Sequence, residues 1–211
     1  MSMMLVNPYV FGDPTEVLRM DFEGPNGSTT IIDSTGRHSP YVTGFAAIST
    51  SVHPYGTSSL RCPGGNTDRC FVPPSTDFYF PSGQDFRIRF TFVPDSIGVA
   101  RYPFGIFNST GSTVLQSVSV NTGGTLTFTG FNPGNFVLGS GTIVALTPYD
   151  VEINRIGSTM NFLLNNVVVG TVTSNSTIGN SGGALYTFGG LYNSGSGNIA
   201  CYIDRVIVNK H

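Results

Sequence analysis

The chain has 211 residues, of which 39% are hydrophobic and 12% aromatic, enough apolar material for the core of one large all-β domain. Only 10% are charged and the net charge is −2, with Lys210 the single lysine and the arginines scattered from Arg19 to Arg205, so the chain carries no basic footprint for nucleic acid. No apolar run approaches the roughly 20 residues of a membrane-spanning helix, and the start lacks the basic segment and small-residue cleavage site of a signal peptide. A surface of Ser, Thr, Asn and Gly in place of charge suits either an assembly or neutral polar ligands.

Residues 1–14, "MSMMLVNPYVFGDP", have neither helical nor strand periodicity. They predict an extended docking arm that places Met3, Met4, Leu5, Tyr9 and Phe11 on a neighbouring subunit. Residues 15–211 predict one β domain. "VLRMDFEG" alternates, with Leu18, Met20 and Phe22 on one face and Arg19, Asp21 and Glu23 on the other, the period of a half-buried strand. "TTIIDSTG" predicts a short strand that ends in an Asp-Ser-Thr-Gly turn. "AAISTS", "SSLRC" and "CFVPPS" follow, the last with a proline pair that places it at a sheet edge or a strand end. "DFRIRFTFVP" carries the strongest alternation, Phe86, Ile88, Phe90 and Phe92 against Arg87, Arg89 and Thr91. Further strands are expected at "YPFGIFN", "TVLQSVSV", "TLTFTGF" and "NFVLGS".

The stretch "YDVEINRIGSTMNFLLNNVVVGTVT" predicts three strands, with a turn at Gly157-Ser158 and a two-residue turn at Asn165-Asn166, where positive φ is tolerated. Val151, Ile153, Met160, Phe162, Leu164, Val167 and Val169 are expected to line a buried face. Asp150, Glu152, Asn154 and Asn161 are expected to face out, and the whole hairpin to act as scaffold without a site. "ALYTFGGLY" and "CYIDRVIVN" close the domain. A dozen or more short strands, regular turns and no helix define an antiparallel β-sandwich.

Candidate chemistry is sparse. Asp21 with Glu23, and Asp150 with Glu152, are spaced to share a strand face, as an acid and nucleophile of a glycosidase would be; a solvated strand face explains them as well and is favoured. His38 and His53 lie in loops with no nucleophile elbow nearby. Cys62 and Cys70 flank a Pro/Gly/Asn loop, and both a bridge across it and three reduced, buried thiols at Cys62, Cys70 and Cys201 fit this spacing. "NGS" at Asn26 and "NST" at Asn108 and Asn175 match glycosylation sequons by chance in a chain rich in Asn and Ser. Tyr102, Phe131, Tyr186 and Tyr192 sit in or near predicted loops and could stack on sugar rings. No enzymatic activity and no cofactor are expected.

Five of these segments, in order, resemble the laminin-G-like, concanavalin A-like lectin family. "LRMDFEGPNGSTTIIDSTG" is similar to its first hairpin, "AAISTSVHPYGTSSLRCPGG" to the next segment, "DFRIRFTFVP" to its core strand, "YDVEINRIGSTMNFLLNNVVVGT" to its long hairpin and "GNIACYIDRVIVNK" to its closing strand. The chain departs from the family in having no Trp: Phe92 and Tyr149 stand where tryptophans are common. The resemblance implies a concanavalin A-like jelly roll, with Asp204 of the closing strand as a ligand to a structural calcium alongside Asp21, Glu23 and Asp33. Arg19, Arg205 or water are the alternative partners of Asp204. An "NPYVFG" arm ahead of such a domain resembles proteins encoded by tailed bacteriophages. That implies a non-enzymatic subunit of the virion surface, a capsid decoration or tail-associated protein made in the host cytoplasm, with capsid or tail proteins or further copies of itself as partners. The alternative is a carbohydrate-binding module that contacts host glycans; neither nucleic acid nor membrane is an expected partner.

Overall fold

The computed structural model describes residues 15–97, 101–131, 135–139, 141–174, 176–191 and 200–211. The arm residues Met3, Met4, Leu5, Tyr9 and Phe11, together with Tyr192 and Asn175, lie outside them. The described chain forms two antiparallel sheets, numbered here in chain order. One has the spatial order β13 (Val167–Thr173), β12 (Thr159–Leu164), β11 (Tyr149–Ile156), β6 (Phe86–Pro94), β15 (Cys201–Lys210), β4 (Ser59–Cys62) and β3 (Ala47–Ser49), and β1 (Glu16–Met20) pairs with the far half of β15. The other runs β10 (Phe136–Leu138), β9 (Thr125–Thr129), β8 (Val114–Asn121), β7 (Arg101–Asn108), β14 (Ala184–Phe188), β5 (Arg69–Ser75) and β2 (Tyr41–Thr43). The single helical element among the described residues is a 3-10 turn at Thr76–Phe78. The expected sandwich is therefore the observed fold.

Alternation decides which face of each strand turns inward. Phe86, Ile88, Phe90 and Phe92 of β6 are buried between the sheets, as are Val151 and Ile153 of β11 and Met160 and Phe162 of β12. From the opposite sheet, Phe104, Ile106, Val118, Phe128, Tyr186 and Phe188 meet them. Rings interlock across the gap: Phe90 lies 5.3 Å from Phe104, and Phe162 lies 4.8 Å from Phe128 and 4.9 Å from Phe136 between centroids. Such pairs add about 0.5–1.5 kcal/mol each to the burial of their area.

Several local expectations change. "TTIIDSTG" contributes only an isolated bridge at Thr30, but its turn forms: Asp33 accepts N–H groups from Arg19, Thr35 and His38 at 3.0 Å each. The prolines of "CFVPPS" lie at the end of β5, which has neighbours on both sides. Val167 is 63% exposed, not buried, because β13 is the outermost strand and a bulge opposite Phe162–Leu163 shifts its alternation. At Gly170 of that strand, a Cβ would fall 2.0 Å from the Phe136 ring, so only glycine lets the ring in. Cys62, Cys70 and Cys201 are free thiols, all fully buried, and burial pushes the Cys70 and Cys201 thiols well above their ordinary value.

Arg155 is buried inside one end of the sandwich. Its guanidinium donates to the carbonyls of Pro81 and Ser176 at 2.6 Å and of Gln84 at 2.7 Å, and so ties two loops to β11. Tyr186 is fully buried too, but its hydroxyl finds no partner among the described residues. Two substitutions separate these effects. Phe162→Ala should cost about 3–5 kcal/mol, a large share of the roughly 5–15 kcal/mol that holds a domain folded. Tyr186→Phe should raise stability by about 1 kcal/mol, since it removes an unsatisfied polar group at constant shape. Urea denaturation of the two variants checks both.

Candidate functional site

The polar face of the eight-stranded sheet is built from the outward residues of the same alternating strands. Arg87 and Arg89 of β6 stand opposite Asn154 and Glu152 of β11. Arg87 reaches Glu152 at 2.8 Å and Arg89 reaches Asp150 at 3.4 Å. A hydrogen-bonded row continues outward: Glu152 accepts from Asn154, Asn154 from Asn161, and Asn161 from Thr171, at 2.8, 2.9 and 3.1 Å. Charge on this face is thus internally compensated. The i, i+2 carboxylates Asp150 and Glu152 do share a face, as their spacing predicted, but each is engaged by an arginine.

At one end of this face the β3–β4 connection folds over the sheet. Tyr55 donates its backbone N–H to Asp204 at 2.9 Å and its hydroxyl to Asp150 at 2.7 Å, contacts that span 149 and 95 residues of sequence. The Arg205 guanidinium lies 3.5 Å from the centre of the Tyr55 ring. Two residues on, Glu23 accepts the Thr57 N–H at 3.0 Å and the Thr57 hydroxyl. Ser58 donates to the Phe22 carbonyl and accepts from the Gly24 N–H, both at 3.0 Å. Gly56, at φ +62°, is required here, because a Cβ would fall 1.5 Å from the Glu23 carboxylate. Three carboxylates therefore hold one loop.

Two non-glycine residues with positive φ flank it: Phe22 at 53° and Arg205 at 40°. Arg205 sits in a bulge, since the four residues of β15 from Asp204 to Ile207 oppose only three of β6, Thr91 to Arg89. A bulky residue in this region is strained, by about 1–3 kcal/mol, and persists only where its surroundings impose it. Here the imposition is visible: the bulge turns Asp204 beneath the loop and places Arg205 on the Tyr55 ring.

Burial pushes Asp204 up to about 6, against the two backbone N–H groups and the Arg205 charge that favour its ionised form. Asp150 responds in the opposite direction. Burial opposes its charge too, but hydrogen bonds from Thr91 and Tyr55 and the positive charges of Arg89 and Arg205 outweigh that, and its pKa lies below the usual range. Hydrogen bonds from Thr57 likewise hold Glu23 below its ordinary value. Burial and Asp150 raise the Tyr55 phenol, which stays a donor.

Next to Tyr55 opens a depression of about 280 Å³, lined by Pro54, Tyr55, Thr91, Pro148, Asp150, Asn165 and Asn166. The Asn165–Asn166 turn has φ of 52° and 63°, the two-residue geometry expected. The hairpin expected to be scaffold alone thus supplies three of the residues lining the depression.

Sequence-predicted contacts fare differently. Phe131 and Tyr186 are fully buried in the core, so neither offers a ring face to a ligand; each continues the inward aromatic packing of its sheet. Tyr102 is half-buried and packs on Phe71, Phe107, Leu185 and Leu191, on the outer face of the other sheet. The structural calcium does not fit. Each Asp204 oxygen faces a backbone N–H, of Tyr55 and of Arg205, and Asp33 is ringed by N–H donors. A cation needs six to eight oxygens instead, and no three His, Cys, Asp or Glu side chains among the described residues come together as a metal site. Arg19 pairs with Glu16 and Asp21, not with Asp204.

The sandwich is similar to the receptor binding domain of botulinum neurotoxin D, with a TM-score of 0.68, 9% identity, and coverage of 92% of this chain and 49% of that one. It is similar to the binding domain of Paraclostridial Mosquitocidal Protein 1, with a TM-score of 0.68, 14% identity, and coverage of 93% and 49%. It is also similar to domain 4 of AbnA, a GH43 extracellular arabinanase from Geobacillus stearothermophilus solved in complex with arabinotriose, with a TM-score of 0.64, 12% identity, and coverage of 93% and 92%. The chain spans about half the length of the first two. At these identities the likeness is one of fold. No family model matches the chain, and no curated protein matches it in sequence.

The opposed carboxylate shifts set a pH profile. Folding raises the pKa of Asp204, so the stability it contributes is complete below about pH 4, its ordinary value, and is lost as the pH rises through about 6. Glu23, Asp33 and Asp150, all lowered, contribute stability that is present above the ordinary carboxylate range and lost as the pH falls. Stability should therefore peak near about pH 5 and fall by about 1–3 kcal/mol toward pH 7. Asp204→Asn keeps one of the two acceptors and should start lower at pH 5 but lose the decline, as read from urea midpoints across this range.

Proposed function

We propose that this chain is a non-enzymatic binding module that recognises carbohydrate on a cell surface. The observation that carries this reading is the Tyr55 depression. It is an open hollow of mixed apolar and polar lining, whose one carboxylate is already paired, beside a loop that three carboxylates and two strained residues hold in place. Strain and buried charge of this kind cluster where a surface has work to do. The carboxylates are placed for holding, not for hydrolysis: Asp204 lies buried under the loop, and Asp150 accepts from Thr91, Tyr55 and Arg89. The likeness to receptor-binding and sugar-bound sandwich domains supports the reading. So does the low surface charge, which suits neutral polar ligands.

A second reading, that the module is an accessory subunit of a bacteriophage virion attached to capsid or tail proteins, draws on the sequence. Five large apolar residues, Met3, Met4, Leu5, Tyr9 and Phe11, precede the first strand and suit docking on a neighbour better than exposure to water. The two readings are compatible, since a subunit anchored by an arm leaves the sheet face free.

A glycan array probed with the purified chain tests the first reading. Reproducible binding to a family of related glycans is expected, unaffected by added EDTA. Binding to none of them, with the protein shown to be folded, would sink it.

A further inference from the structure

We propose that the Asn165–Asn166 turn is the reading head of the Tyr55 depression, and that it selects uncharged saccharides over anionic ones. The inference rests on the carbohydrate reading above and adds the contact residues and the ligand class.

The argument begins with what each amide oxygen does. Asn165 Oδ1 accepts the backbone N–H of Asp150 at 2.9 Å, and Asn166 Oδ1 accepts from the Arg89 guanidinium at 3.1 Å. Both donors are obligatory, so both amides are oriented: oxygen inward, NH2 outward. Neither NH2 has a protein partner among the described residues. The turn cannot swing away, because Asn165 also donates its own backbone N–H to the Asp150 carbonyl at 2.8 Å. Two amide donors thus stand fixed at the rim of the hollow before any ligand arrives, which lowers the ordering cost of binding.

Asp150, which lines the hollow, and its ion-pair partner Arg89, which does not, explain the ligand class. Arg89 and Asp150 neutralise one another at 3.4 Å, and their side chains are only 22% and 14% exposed. An anionic sugar would find the Arg205 guanidinium covered by the Tyr55 ring and set between the carboxylates of Asp150 and Asp204, and its own carboxylate would lie close to Asp150. An uncharged sugar loses nothing here. Its hydroxyl and ring oxygens accept from the two amides, while Pro54 and Pro148 offer apolar surface to its C–H groups. Paired donors with flanking apolar surface are the usual make-up of a small-ligand site.

The test uses arabinotriose, maltotriose and cellotriose as neutral probes, and sialyllactose and trigalacturonic acid as anionic ones. Binding is followed by calorimetry and by amide chemical shifts. Asn166→Asp retains the acceptor for Arg89 and tolerates positive φ, but replaces the NH2 donor by a charged oxygen. Asn166→Gly keeps the turn and deletes the amide. Both variants should melt as the wild type does and bind the neutral probe about tenfold or more weakly, the worth of roughly one hydrogen bond. Amide shifts in the wild type should centre on Tyr55, Asp150 and Asn165. Neutral-sugar binding that survives both variants, or a preference for the anionic probes, overturns this inference while the carbohydrate reading stands. Binding of no probe at about 10 mM overturns both.

Discussion

The gap between the two sheets has to be filled without tryptophan. Packed sheets lie about 10 Å apart, and this chain closes that distance with phenylalanine and a few tyrosines, interlocked as Phe90 with Phe104 and Phe162 with Phe128 and Phe136. The consequence reaches the surface. Aromatic residues that might have formed a stacking platform, Phe131 and Tyr186 among them, are used inside. Around the depression, the described sheet face presents amides, paired charges and Tyr55, which a loop carries back over the sheet.

That loop depends on a defect. A regular β15 would follow the Asp204–Thr91 pair with Arg205 opposite Phe90 and Val206 opposite Arg89. The extra residue breaks the register, forces Arg205 to φ +40° and turns the Asp204 carboxylate toward the Tyr55 N–H. Each element then supports the other: the loop shields Asp204 from water and so raises its pKa, and Asp204 satisfies a backbone donor that the loop would otherwise leave unpaired. Because Asp150 and Glu23 hold the same loop with shifts in the opposite direction, its docking is set by three carboxylates that do not titrate together.

The likeness to much longer toxin binding domains and to a single arabinanase domain shows how readily this sandwich is joined to other architectures. Such neighbours share a scaffold at 9–14% identity, which leaves the loops and the outward strand faces free to differ. A fold does not carry a function by itself. What distinguishes this chain is where its few charges lie: on the face that bears the depression, arginines and carboxylates come in compensating pairs.

The alternation of "DFRIRFTFVP" and "YDVEINRI" was sufficient to place β6, β11 and the inward ring set, because a strand's two faces are defined by a period of two residues and need no partner to be read. The Asn165–Asn166 turn and the Asp33 turn were legible for the same local reason. Asp204 stood out as a charge in an apolar run, yet its partner did not: Tyr55 lies 149 residues away, and no local pattern encodes a contact across that span. Tyr55 itself gave no signal within "VHPYGT". Burial of Phe131 and Tyr186, and exposure of Val167, followed from which strands became neighbours and which became edges. Local periodicity thus determined the strands and their faces; the order of the strands, the bulge in β15 and the convergence of loop, carboxylates and turn were decided only when distant segments packed, since pairing energies between remote residues depend on the whole sheet and not on their own neighbours in the chain.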